Sequence, residues 1–343
     1  MKRFIVIAAG VSLLTASDLQ AQSGGLTTPV CPPGATQAQR VAQDACQQAY
    51  DVYQFMAPQL ALAVVGGNAT LGQASTLGGL GHFSVGLRAN VFNGDLPDIQ
   101  NFTQRTTGAT PAVTLPTTSQ FIGLPTADVA IGLFGGLPLA LTNVGGVDLL
   151  VSGSYVPTIS QSNVTITPKQ NLQLGYGARV GLLSESIIVP GVSLTYLRRD
   201  LPTTTIVGTA TYVSALAGPT TTTLNITEAK VKTNAWRLVA SKSLIFFGLA
   251  AGVGQDKYDQ SADISATVTS TLAGTATATV PATSQSLTRT NYFLDASMNL
   301  LLLKLTAEVG QVTGGTVNTY NSFTSGRADK TRTYFAVGAR LGL

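Results

Sequence analysis

The chain has 343 residues, a formal charge of +4, only 10% charged residues and a mean hydropathy of +0.27. Soluble domains carry roughly 25% charged side chains, so an ordinary water-facing surface is excluded. The basic residues are scattered, without a dense cluster or interleaved aromatics, which excludes nucleic acid as a partner. After the N-terminus no run approaches the roughly 18 apolar residues of a membrane helix, leaving strands as the membrane-crossing element.

Met1-Lys2-Arg3 followed by apolar Phe4 to Leu14 and a polar stretch to Gln22 reads as a signal peptide over 1–22, cleaved after Ala21 or Gln22. In an exported chain the even pair Cys31 and Cys46 is expected to form a disulfide. Two cysteines and the single, distant His82 do not fill a tetrahedral shell, so no metal and no other cofactor is expected.

Residues 36–57 predict a helix, with Ala38, Val41, Ala45, Ala49, Val52 and Met56 on one face and Gln39, Arg40, Gln43, Asp44, Gln47 and Asp51 elsewhere. Pro58 should end or kink it. The segment 23–81 is expected to be a periplasmic leader packed on the base of a barrel. A plug inside the lumen is the alternative.

From His82 to the end of the chain the period is two. Phe83, Val85, Leu87, Ala89 and Val91 alternate with Ser84, Gly86, Arg88 and Asn90, and the pattern recurs over 172–182 and 335–343. Filling in between these anchors predicts ten strands, near 82–94, 126–135, 146–158, 170–184, 190–206, 223–243, 246–262, 284–300, 302–314 and 331–343. Twelve is the alternative, if 203–232 holds an extra hairpin. Short joins alternate with long Thr-, Ser-, Asn- and Gly-rich ones. The fold class is therefore all-β: an antiparallel up-and-down transmembrane β-barrel over 82–343, preceded by a helix.

On the outer rows Tyr155, Tyr176, Tyr196, Trp236, Tyr292 and Phe335 are placed as an aromatic girdle. By parity Arg88, Asp128, Asp148, Arg179, Arg237, Asp295, Lys304, Glu308 and Arg340 face the lumen, where their balanced signs suggest paired packing rather than an ion filter. Inward glycines, among them Gly86, Gly175 and Gly252, either relieve crowding or leave a narrow water path. His82 falls at the start of the first strand, without a nucleophile or base at motif spacing, so no catalytic residues are assigned.

The closing residues Ala336 to Leu343 resemble the C-terminal signal of outer-membrane barrels, with Gly338, Leu341 and Leu343 on its pattern and a terminal leucine in place of the usual aromatic. That likeness implies the barrel-insertion machinery as a partner during biogenesis. The stretch Ala74 to Phe83 resembles uncharacterised outer-membrane barrels of environmental bacteria. The helix ahead of a barrel is similar to the arrangement in long-chain fatty-acid transporters. These resemblances imply an integral outer-membrane protein of a Gram-negative bacterium, with lipid as its surroundings and its cargo unknown. The expected function is a porin-like narrow channel or a structural membrane protein, without catalysis. The alternatives are passive transport of a small hydrophobic ligand gated by the N-terminal helix, an adhesin, and a membrane-embedded hydrolase.

Overall fold

A computed structural model describes residues 25–139, 141–161, 163–214 and 218–342. The signal peptide expected over 1–22 and the terminal Leu343 of the insertion signal lie outside the described residues. The ring consists of β1 (Phe83–Pro97), β2 (Thr117–Phe134), β3 (Gly146–Tyr155), β4 (Leu172–Leu183), β5 (Gly191–Asp200), β6 (Gly218–Ser243), β7 (Phe247–Ser270), β8 (Gly274–Leu300), β9 (Leu303–Thr313) and β10 (Arg332–Gly342). Each pairs antiparallel with the next. β10 pairs with β1 from Ser84↔Gly342 to Phe92↔Tyr334, and the ring closes. Closure leaves the ring without an unpaired edge, the condition a sheet must meet in hydrocarbon.

The hairpin allowed for in 203–232 exists, between Thr204–Ser214 and the first half of β6. It adds no strands to the ring, because β5 pairs directly with the second half of β6, from Gly191↔Ser241 to Asp200↔Lys232. The count stays at ten. The predicted loop at 263–283 is likewise strand. β7 and β8 run as one hairpin with its turn at residues 271–273, so β6, β7 and β8 reach 26, 24 and 27 residues. Ala262, Ile264, Ala266 and Val268 alternate there with Asp263, Ser265 and Thr267, and their inward face is covered by the helix rather than by water. We call the end where β1 starts and β10 stops the near end, and the end carrying these extensions the far end.

The helix α1 (Gln37–Val65) starts on Thr36, whose hydroxyl accepts from Gln39 N while the Gln39 side chain accepts from Thr36 N, a capping box. Of the two outcomes expected at Pro58 the helix does not end there, and it runs on to Val65. The backbone bond that proline removes is offset by burial of Ala61, Leu62, Ala63, Val64 and Val65 just beyond it. The Cys31–Cys46 disulfide ties the helix to its leader.

The helix does not pack on the base of the barrel. It lies inside the ring, with 22 of its 29 residues buried, whereas a helix on a surface buries one face. Its descent can be followed along β7. Val41, Ala42 and Cys46 meet Ala266 and Val268; Ala49, Tyr53 and Ala57 meet Ala262 and Ile264; Phe55, Ala61 and Val65 share a cluster with Tyr258. Below the helix Ala74 packs with Ala250. The chain thus enters at the far end, crosses the lumen and emerges at Phe83 at the near end. The expected position of the leader, at the near end, is corrected accordingly: residues 25–36 lie at the far end, where Gly25 bridges to Thr319 and Leu26 N donates to Thr319 O.

Candidate functional site: the occupied lumen

All nine charged residues assigned to the lumen by parity are on the inner wall, and eight of them bond directly to residues 65–77 of the crossing segment. Arg179 and Asp148 are cross-strand partners, fully buried and 2.6 Å apart. Arg179 also donates to Thr70 Oγ1 (2.8 Å) and Gln73 O (3.1 Å), and Asp148 accepts from Leu77 N (3.1 Å). Glu308 accepts from Asn68 N (3.2 Å), and Asp295 from Gly72 N (3.0 Å). Lys304 donates to Gly72 O (2.6 Å), Arg340 to Gln73 Oε1, Arg88 to Gly66 O and Arg237 to Val65 O. Asp128 is the exception. It pairs with Arg88 (2.9 Å) and with Arg199 (3.2 Å).

These contacts have a common logic. The last turn of α1 carries no basic residue, and its final carbonyls need donors. The wall supplies them: Asn90 Nδ2 reaches Leu62 O at 2.9 Å, and Arg88 and Arg237 take Gly66 O and Val65 O. The segment after the helix has no regular structure, so its peptide groups must be paired by the barrel or left unsatisfied in a dry interior. Gly67 and Gly72 have positive φ, +78° and +68°, and a Cβ on Gly67 would come within 2.7 Å of the Arg88 guanidinium. Glycine lets the backbone press against the charged wall.

Sequence reasoning missed several wall residues. Arg199 joins Asp128, and Asp256 pairs with Arg237 and receives a hydrogen bond from the Tyr258 hydroxyl. Both lie on the parity already assigned to the interior. Arg332 and Lys330 converge on Asp95 at 2.9 and 2.7 Å, and Arg289 donates to Gly314 O (3.1 Å) and Lys330 O (2.8 Å) beside the loop over 314–331.

The six aromatic residues placed on the outer face are all there and exposed. Tyr196 and Trp236 face each other across β5 and β6, one position from the first outward polar residues, Arg198 and Asn234. Tyr292 and Phe335 stand in the same relation to Thr290 and Thr333. These four mark only the far border of the apolar band. At the near end the band continues onto the turns, where Ile187, Ile188, Leu244, Ile245, Leu301 and Leu302 are exposed.

Of the insertion-signal residues, Leu341 faces outward and Gly338 inward, where a Cβ would meet Leu71 Cδ1 at 2.6 Å. His82 is exposed at the near rim, and its backbone N–H bonds to Gly79 O. At the near end the lumen opens into a mouth of about 1090 Å³ beneath residues 73–78. Among the described residues no cluster of three or more His, Cys, Asp or Glu has the arrangement of a metal site.

No protein-family model and no curated protein matches the chain. Solved structures that resemble it are outer-membrane barrels. The transport unit of the autotransporter AIDA-I from Escherichia coli aligns at 8% identity over 87% of this chain and 99% of that one, with a TM-score of 0.29. The toluene transporter TodX of Pseudomonas putida aligns at 10% identity over 76% of this chain and 88% of that one, with a TM-score of 0.32. The outer-membrane channel DcaP of Acinetobacter baumannii aligns at 8% identity over 78% and 99%, with a TM-score of 0.19. The closed ten-strand ring of this chain stands on its own strand pairing.

Proposed function

We propose that this is an integral outer-membrane barrel without catalytic activity, a channel held shut by its own N-terminal segment. One observation carries the reading: eight charged wall residues are bonded to residues 65–77, which fill the lumen below a helix that fills it above. The apolar outer band supports the membrane setting, because a Lys or Arg on the lipid face of a barrel costs about 2–4 kcal/mol at the midplane, and the wall keeps its charges inside. The near end faces the periplasm, as short turns do in such barrels, and the long extensions face the exterior. In this orientation residues 25–36 enter from outside.

Planar-bilayer recordings test the closure. The intact protein is expected to give no sustained conductance steps, and Arg88→Ser with Arg179→Ser, which unlatches the segment at Gly66 and Thr70, is expected to give them. Stable large steps from the intact protein would overturn the reading. Orientation is tested with a membrane-impermeant maleimide on whole cells. Thr277→Cys, on the outward face of the extension, should label, and absence of labelling there with labelling at Ser186→Cys would invert the topology.

A further inference from the structure

The near-end mouth is chemically unlike the lumen above it. Among the described residues three cations line it, Lys242, Lys304 and Arg340, against one side-chain carboxylate, Glu185. Above, the buried cations Arg88, Arg179, Arg199 and Arg237 each pair with an aspartate. None of the three mouth cations has an ion pair among the described residues. Lys242 donates only to the Ser186, Ile187 and Val189 carbonyls, Lys304 to Gly72 O, and Arg340 to the Gln73 amide, with Arg340 Nη1 buried and unpartnered. Glu185 is already satisfied, by Ser243 N and the Ser241 hydroxyl.

Lys304 and Arg340 are moreover direct cross-strand partners, on the inner face of β9 and β10. Like charges in that position repel and destabilise the pairing, an arrangement that persists when something of opposite sign sits between them. The carboxyls of Asp295 and Glu308 lie a tier deeper and do not line the mouth. The Gly72 peptide separates Asp295 from Lys304, donating to the one and accepting from the other. One side of the same cavity, formed by the near-end turns, is apolar and carries Leu244, Ile245, Phe246, Phe247, Leu301 and Leu302.

We propose that the near-end mouth binds an anionic amphiphile, with its head between Lys304 and Arg340 and its chain along the apolar rim. A volume of about 1090 Å³ is at the upper end of small-ligand pockets, which run to about 1,000 Å³ and bury most of their ligand. A free long-chain carboxylate and an anionic phospholipid of the surrounding leaflet present this same chemistry. The site does not depend on the channel being shut, since binding at the mouth and conduction through the lumen are read by separate measurements.

The test uses the full chain refolded in a non-ionic detergent, with its heat-dependent gel shift checked for every variant. A dansyl-labelled undecanoate reports binding by fluorescence, and dodecanoate and dodecanol compete for it. Dodecanoate is expected to compete at least tenfold better than dodecanol. Lys304→Gln with Arg340→Gln should weaken the dansyl probe at least tenfold and erase the preference for the acid. Asn299→Asp needs no removal of a cation. Asn299 faces Lys304 across β8 and β9 and lines the cavity, so its carboxylate supplies the missing partner. It is expected to weaken probe binding about tenfold and to raise resistance to thermal unfolding.

Nanodiscs of phosphatidylglycerol against phosphatidylcholine separate the sources. Displacement of the probe by phosphatidylglycerol alone identifies lipid as the occupant, and equal probe binding in both identifies the free acid. Equal competition by dodecanoate and dodecanol would overturn the proposal, as would full affinity in folded Asn299→Asp.

Discussion

The upper and lower halves of the plug are held by different chemistry. Above, α1 meets the wall through small and aromatic side chains, with Ala42, Ala45, Ala49 and Ala57 against the inner face of the extensions and Phe55 stacked on Phe323 at 4.0 Å. Below, residues 65–77 meet it through backbone groups bonded to buried charges. The upper half is a hydrophobic core like that of a water-soluble protein, while the lower half is a polar scaffold in which each charge positions a peptide group. A helix satisfies its own backbone and needs only shape. An irregular segment must borrow its hydrogen bonds, and here the barrel lends them.

The lower half should be the more brittle. Replacing Arg179 with leucine leaves Asp148 buried without a cation and frees Thr70 and Gln73. Breaking such a pair from one side costs about 3–5 kcal/mol. Urea unfolding of the barrel in micelles should show that loss, and the double variant Arg179→Leu with Asp148→Leu should recover most of it. No recovery would mean that the pair acts through packing, and the contrast between the halves would collapse.

In the upper half, Phe55→Ala should cost about 3–4 kcal/mol, through lost burial and the cavity left under Phe323. It has no compensating partner variant, which is the signature of a packed core. Reducing the Cys31–Cys46 bond, which closes a loop with a separation of 15 residues, is expected to cost about 2–3 kcal/mol. Because α1 stays enclosed by the wall, the loss should register as proteolysis of residues 25–36 before any change in the heat-dependent gel shift. Loss of the shift at the same reductant concentration would show instead that the disulfide holds the whole plug.

The wall was legible in the sequence and the plug was not, for one physical reason. Period two assigns a face whatever the face touches, so Arg88, Asp148, Arg179 and Glu308 could be set inside from spacing alone. A helical period, by contrast, places polar residues toward water, a rule that holds for soluble folds. Inside a polar-walled barrel the rule fails. Asp44, Gln47, Gln48, Asp51 and Gln59 are all buried, because the wall and the far-end loops provide their partners. The long Thr-rich segments failed for a related reason. Their alternation was visible at Ala262, Ile264, Ala266 and Val268, but it reads as strand only once a helix is known to cover the inner side.

The smallest expected effect separates two carboxylates at the far end. Asp51, on α1, is buried and has no ion pair among the described residues. Its oxygens accept from Tyr320 N (2.9 Å), Asn321 N (3.0 Å), Asn321 Nδ2 (2.8 Å) and Gln47 Nε2 (3.2 Å). Burial outweighs those donors and pushes its pKa from 3.8 up to about 7. Asp95 is also raised by burial, but Lys330 and Arg332 overcome that and hold it below the usual carboxylate range. The signs are opposite. The folded state binds the Asp51 proton more tightly than the unfolded chain, so this stabilisation is complete below about pH 4 and is lost as the pH rises through about 7. The Asp95 contribution is present at neutral pH and is lost only on acidification below the ordinary carboxylate value. Of these two carboxylates only Asp51 changes state between pH 6 and 8, and linkage puts its contribution at roughly 1 kcal/mol. Since Asp51 fastens α1 to the loop at Tyr320 and Asn321, that loop should exchange its amide hydrogens faster at pH 8 than at pH 6, after correction for intrinsic rates. The Asp95 end of β1 should not. Equal protection of the loop at both values would place the Asp51 proton elsewhere and leave the helix and loop joined by packing alone.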